Sequence, residues 1–455
     1  MTIRLEQLQA CFEGMIPAVI ATTAADGTPN VSYLSHVAMV DAGHIALTNQ
    51  FFGKTADNLR QFAHASVLVV DIQACRQYTM RVELAETLTA GYQFDVLAAR
   101  VQASGARVGL DGVMRLRAVD VFRVIAIDAA PAEDVAAPRA PDGVPASLGG
   151  VQRVIERMVR QNDIDGLVEA TLAGLDTELG MGHTLFMALE HASGMLSAIG
   201  SRGYAQSGIG SDVALGEGVI GAAALSNLPV RINDLDRTGR FSAAVAAAGG
   251  DDLSRRIALP GLVDPLSQIA VPISSQGALY GVLFAESTRR LAFSAEHEVA
   301  LSIIARQAGA ALALLDQLAD DEGAARGTPA PASPAAPQIE VVHYQYDDSV
   351  FINGVYVIKG IAGRLLHRML AQFLETGREE FSNREIRLDA QLRLPDVKDN
   401  LETRLLLLRR RLEERGFPIR LERQGRGLLR LCLDGVPRLS QGGEAASSAP
   451  GRDYG

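Results

Sequence analysis

Tryptophan is absent from the 455 residues, aromatic residues make up only 5%, and cysteine occurs three times. The three thiols, Cys11, Cys75 and Cys432, are scattered, odd in number and without metal-ligand spacing. That excludes a disulfide framework and points to buried thiols in a reducing cytoplasm. No stretch reads as the roughly 20 apolar residues of a membrane span. The amphipathic start "MTIRLEQLQACFEG" lacks the apolar core of a signal peptide. A cytoplasmic protein with no membrane partner is therefore expected. There is no GxSxG, HExxH or Walker loop, so no catalytic or metal-ligating residue is assigned. A net charge of -10 with a pI near 5.4 excludes a chain that wraps nucleic acid along its length, and any basic function must be local.

What is present is an ordinary globular composition, 48% hydrophobic and 21% charged, too long for one core. Two stretches rich in Ala and Pro interrupt the periodic sequence. They divide the chain into residues 1–128, a linker at 129–150, residues 151–318, a Pro/Ala-rich linker at 319–338, residues 339–436, and a polar tail at 437–455 expected to be disordered. The fold class expected is multidomain α+β.

The first block alternates short strands with turns. "PAVIATTAADGTPNVSYL" reads as a hairpin around Asp26-Gly27. "TNQFFGKTADNL" ends a strand at a helix that Thr55 starts, where exposed N–H groups and Lys54 suit an anion. With "ASVLVVDIQACRQYTMRV", these stretches resemble the pyridoxamine 5'-phosphate oxidase-like FMN-binding split barrel. The resemblance implies an antiparallel split β-barrel with FMN at a homodimer interface. It implies Lys54 and Thr55 at the flavin phosphate, with Ser35, His36, Asn49 and Gln77 as ring or ribitol contacts. The arginines that true oxidases place on the early strands are missing from "AVIATT" and "VSYLSHVAMV".

The second block opens with the helix "VQRVIERMVRQ" and closes with a long helix from Ser294, whose Val299, Ile303, Ala310 or Ala311, and Leu314 are expected on the buried face. "LGEGVIGAAALSNLPVRINDLDRTGRFS" followed by "IAVPISSQGALYGVLFAES" resembles a GAF domain, an α/β sandwich that holds a small ligand or dimerises. The absence of cysteine between Val151 and Leu318 excludes thioether attachment of a bilin. Asp234 stands where the cyclic-nucleotide pattern has lysine.

The third block has an Asn353-Gly354 hairpin turn, a helix through Leu365, Leu366, Met369, Leu370 and Phe373, and a capping box at Ser382 and Glu385. A second helix, a third helix and a closing hairpin follow. In "LETRLLLLRRRLEERG", Leu401, Leu405, Leu408 and Leu412 form one inward stripe, which leaves Thr403 and Arg410 outward. "VKDNLETRLLLLRRRLEERGFPIRLERQGRGLLRL" resembles the recognition helix and wing of the winged helix-turn-helix output domains of bacterial response regulators. The resemblance implies duplex DNA as partner, with Lys398, Asn400, Thr403 and Arg404 near bases or phosphates, Arg409 and Arg410 on the backbone, and Arg423 and Arg426 on the wing. Residues 338–441 carry 18 Lys and Arg against 15 Asp and Glu, so the basic excess is local. Leu406 and Leu407 depart from the pattern, because leucine reads little of a base edge and two outward leucines suit a protein contact.

Together these readings lead to a cytoplasmic transcriptional regulator whose barrel and GAF inputs, holding flavin and an unknown small ligand, control a DNA-binding domain. The alternative is an FMN-dependent oxidoreductase with regulatory GAF and winged-helix domains.

Overall fold

The computed structural model describes residues 3–13, 16–34, 36–49, 53–71, 76–107, 116–130, 144–233, 235, 257–321, 337–392, 401–425 and 427–442. The N-terminal unit begins with a 3-10 segment, Leu5–Phe12. It continues through β1 (Ala18–Thr23), β2 (Pro29–Leu34), β3 (Val37–Asp41), β4 (His44–Asn49), α1 (Lys54–Gln61), β5 (His64–Asp71), β6 (Arg76–Leu88), α2 (Tyr92–Arg107) and β7 (Ala118–Ala129). The strands form one sheet in the order β2-β1-β5-β6-β7-β4-β3. The β1–β2 connection turns where Gly27 takes φ +83°, and Asp26 accepts the Thr28 N–H at 2.9 Å. Alternate residues such as Ile20, Val67, Met80, Val82 and Phe122 fill the interior, as period-two patterning requires.

The middle unit runs α3 (Leu148–Met158), α4 (Ile164–Leu179), β8 (His183–Glu190), β9 (Met195–Arg202), β10 (Asp212–Ala214), α5 (Gly218–Ser226), β11 (Val230–Ile232), β12 (Ser267–Ser275), β13 (Ala278–Ser287) and α6 (Ala295–Asp321). Its sheet has the order β10-β9-β8-β13-β12-β11. Helices α3, α4 and α6 share a core with one face, while α5 and the barrel's α2, through Ala99 and Ala103, cover the other. Two expectations about α6 are corrected. Its buried stripe is Leu301, Ile304, Ala305, Ala308 and Leu312, whereas Val299, Ile303 and Leu314 are exposed. In addition, residues Ala295–Leu315 are long and apolar enough to cross a membrane by length and composition, yet the inner stripe packs into the core of the sandwich.

The last unit contains β14 (Gln338–Tyr344), β15 (Ser349–Ile352), β16 (Val355–Ile358), α7 (Gly360–Thr376), β17 (Glu380–Ser382), α8 (Asn383–Leu388), α9 (Leu401–Glu414), β18 (Ile419–Gly425), β19 (Leu428–Leu433) and β20 (Val436–Gln441). Asn353 and Gly354 both take positive φ in the β15–β16 turn, and Ser382 and Glu385 form the reciprocal capping box of α8. Leu401, Leu405, Leu408 and Leu412 of α9 are all buried, each stabilising by about 1.5–3 kcal/mol. Residues 437–441, expected in a disordered tail, belong to β20, which pairs in parallel with β14. Residues 131–143, 322–336 and 443–455, from the expected linkers and tail, lie outside the described residues. The cores of the middle and last units are continuous.

Candidate functional site

The first candidate site lies where β4 passes into α1. Lys54 opens α1 and is exposed, and no side chain caps the helix start. Its charge reaches the Asp26 turn, where Asp26 is held below the ordinary carboxylate range chiefly by the Thr28 N–H and hydroxyl, with Lys54 a minor cause. Thr55 has another role than the one expected of it. It lies inside the first turn, 2% exposed, where its hydroxyl accepts from Asn30 Nδ2 and shares a hydrogen bond with Ser32 Oγ, both at 2.9 Å. Asn58 Nδ2 donates to Thr22 Oγ1 at 3.0 Å beside them. This polar knot fastens α1 to the first hairpin, with the Thr55 hydroxyl at its centre.

His36 immediately precedes β3, and Asn49 ends its neighbour β4. The His36 backbone N–H donates to Thr48 Oγ1 at 3.2 Å, while the ring's Nδ1 is enclosed without a partner among the described residues. Burial, then the nearby Arg100 charge, pushes the imidazole pKa down to about 4, so the ring is neutral near pH 7. Asn49 Nδ2 donates to Asp120 Oδ2 at 3.0 Å, and Thr87 Oγ1 to Asp120 Oδ1 at 2.6 Å. Asp120 is buried in β7. An acid amid "AVDVFRV" was the only sequence signal for it. Gln77 is exposed on β6. Register puts Asn49 opposite Ala118 and Tyr78 opposite Ala129, the two ends of β7, about 35 Å apart along the strand at ~3.3 Å per residue. One chain therefore does not bring Gln77 to Asn49. Ser35 lies outside the described residues.

A chain of charges leads from this barrel into the middle unit. Arg100 of α2 pairs with Glu298 of α6 at 3.3 Å, and Glu298 also receives Arg231 of β11 at 2.9 Å. Arg231, 8% exposed, pairs with Glu13 as well, and Asn233 Nδ2 donates to Glu13 at 2.7 Å. In the middle unit's own sheet, buried Glu286 accepts from Leu262 N at 2.7 Å and Gln268 Nε2 at 2.9 Å. Tyr204 lies beside it, and burial followed by the Glu286 charge raises its phenol pKa.

The arginines of α9 turn inward, not outward. Thr403 and Arg404 are 4% and 2% exposed, and Arg404 donates to the Leu189 carbonyl at 2.5 Å. Arg410 donates to Asp165 at 2.9 and 2.5 Å, to Glu169 at 2.8 Å and to the Ile199 carbonyl at 2.8 Å. Arg409 also pairs with Asp165, and Arg423 lies 3.5 Å from Asp163 and 3.4 Å from Glu402. Leu406 and Leu407 are 5% and 3% exposed. The outward placement expected for Thr403 and Arg410 is thus corrected, because the middle unit covers that side of the helix. Lys398, Asn400 and Arg426 lie outside the described residues. Nothing in "NDIDGLVEA" marks Asp165 as an arginine partner; it reads as an ordinary first-turn acid. Among the described residues no cluster of His, Cys, Asp and Glu fits a metal ion.

The pyridoxamine 5'-phosphate oxidase family model matches residues 5–131 and the GAF domain model matches residues 161–313. The chain joins a pyridoxamine 5'-phosphate oxidase-like domain to a GAF domain. Residues beyond 313 rest on their geometry. Among solved structures, HupZ from Group A Streptococcus is 19% identical, covering 30% of this chain and 100% of its own, with a TM-score of 0.24. An FMN-binding protein from Syntrophomonas wolfei is 19% identical over 28% of this chain and 87% of its own, TM-score 0.24. The GAF domain of an Acinetobacter phosphoenolpyruvate-protein phosphotransferase is 16% identical over 38% and 95%, TM-score 0.32. No curated protein matches the chain.

Proposed function

We propose that this protein is a sensor: a flavin in the oxidase-like domain and a small molecule in the GAF domain set the placement of a winged-helix C-terminal domain that binds duplex DNA in regulating transcription. What supports this reading is that both neighbours of the GAF domain are tied to it by buried or half-buried arginines, Arg231 on one side and Arg410 on the other. A change in either input therefore has a contiguous route to α9.

The residues fit a flavin nucleotide in part. Lys54 at the uncapped start of α1 suits its phosphate, and the unpartnered His36 Nδ1 and the Asp120-held Asn49 offer polar contacts. Thr55 does not fit. When bound, a flavin supplies electron-transfer chemistry, here read as an input. A second copy would be needed to bring Gln77 to Asn49. The exposed stripe Val299, Ile303 and Leu314 on α6 offers such a copy an apolar face, so a homodimer is part of the proposal. Light scattering should give twice 48.4 kDa; the monomer mass would remove this element.

The deciding experiment is an absorption spectrum of the purified chain, followed by amide exchange of α9 with and without FMN. Flavin uptake that alters exchange in α9 supports sensing. A chain that takes up no flavin ends the flavin reading. Uptake that changes exchange only within the barrel ends the sensing reading.

A further inference from the structure

The contact between the GAF domain and the C-terminal domain has segregated charge. From the C-terminal side come Lys359, Arg409, Arg410 and Arg423; from the GAF side come Asp212, Asp165, Glu169 and Asp163. In every ion pair across this contact among the described residues, the base is C-terminal and the acid is GAF. Glu190 extends the pattern by accepting the Ile361 N–H at 3.3 Å, so a GAF carboxylate sits at the positive end of α7. At the centre, Leu406 and Leu407 are buried. Leu407 lies over Gly210, where a Cβ would meet it at an ordinary contact distance of 3.9 Å, and the Arg410 guanidinium lies over Gly200, 3.3 Å from where a Cβ would stand, as it donates to the Ile199 carbonyl.

These acids stand where phosphates would stand if α9 and the wing gripped a duplex, since phosphate contacts are made by such Lys and Arg residues. We propose that the GAF domain's acidic face is a latch that occupies in cis the nucleic-acid-binding face of the C-terminal domain, so that docking on GAF and binding duplex DNA are mutually exclusive and undocking is the output step. This rests on the winged-helix DNA reading above. A protein partner is the competing occupant, because the Leu406–Leu407 centre also suits one, and Glu414 of α9 crosses the contact to accept from Ser207 Oγ; the common polarity of the ion pairs favours the polyanion.

The test uses the full chain carrying Asp165→Asn and Glu169→Gln, which removes two GAF charges with little change of shape and leaves Asp163, the cap of α4, in place. Amide exchange in α9 and retention of a labelled random-sequence duplex at low salt are measured together. Exchange in α9 should rise, and the duplex should bind about tenfold or more tightly than to the wild type, the gain expected if docking holds the competent form to a tenth or less. Adding Arg409→Gln and Arg410→Gln should abolish that gain. Unchanged α9 exchange overturns the latch. Faster exchange with no duplex retained by the wild type, by the variant or by Leu407→Asp overturns the winged-helix DNA reading and leaves a protein-docking face. Equal DNA binding by wild type and variant overturns mutual exclusion while leaving DNA binding intact. A gain that survives loss of both arginines places the duplex elsewhere and overturns the proposal.

Discussion

The two contacts made by the GAF domain use the same chemistry to opposite ends. Against the barrel, charges of both signs come from both sides: Arg100 and Glu13 from the barrel meet Glu298 and Arg231 from GAF. Around them small residues interlock, Ala99 and Ala103 with Ala222 and Ala223. Against the C-terminal domain the signs are separated and the centre is leucine. A mixed-sign contact offers no uniform field for a polyanion to replace, whereas a one-signed face does. The barrel contact is therefore read as a fixed joint and the C-terminal contact as a separable one.

The largest effect should come from attacking the joint. Arg231→Ala leaves Glu13 and Glu298 buried without their shared guanidinium and should cost about 3–5 kcal/mol, seen as a lowered midpoint in thermal unfolding. A variant as stable as the wild type would show that the joint is not held by charge. Next, Leu407→Asp places a carboxylate in the apolar centre of the other contact. It should cost about 1–3 kcal/mol or more and appear as proteolytic cleavage near α9 with the barrel and GAF domain intact; cooperative loss of the whole chain would mean the two contacts do not differ.

Lys54→Ala tests the input side. It should weaken FMN by about 1.5–3 kcal/mol through loss of one charge-assisted phosphate contact, read by flavin fluorescence titration, and unchanged affinity would remove Lys54 from the site. Acidification should separate the regions more gently. His36 has a folded pKa near 4, below its ordinary value, so the unfolded chain binds more protons between about 6.5 and 4 and barrel stability should fall as pH drops through that window. His36→Gln should flatten the fall. Burial opposes ionisation of Asp165, but Arg410 and then Arg409 outweigh it and hold the carboxyl below its ordinary range. Its contribution is therefore complete above the ordinary carboxylate pKa and is lost only as pH falls through the lower folded value. Exchange in α9 should stay slow down to about pH 4 and rise below it; a rise already near neutrality would assign the latch to another group.

Much of the local structure was legible from local chemistry. The Asp26-Gly27 and Asn353-Gly354 turns form because Gly27, Asn353 and Gly354 reach positive φ cheaply. Ser382 and Glu385 cap because the two partners are three residues apart. The stripe Leu401, Leu405, Leu408 and Leu412 is buried because one helical face must serve its own domain's core. Less of the candidate site was legible. Lys54 could be placed at a helix start, yet the role of Thr55 depends on Asn30 and Ser32, more than twenty residues away. Asp120 became a site residue only through pairing of β7 with β4 and β6.

By itself, then, the sequence determined the turns, the caps, the inward face of α9 and the family character of the first two domains, since each depends on residues a few positions apart or on a contiguous motif. Only the tertiary structure decided which apolar stripe of α6 meets the sheet, because that helix is apolar on more than one side and the packing of β12 chose between them. It also decided what covers the other side of α9. Helical periodicity names the face a helix owes to its own core, but Arg410 and Asp165 stand 245 residues apart, and no local pattern encodes a partner at that distance.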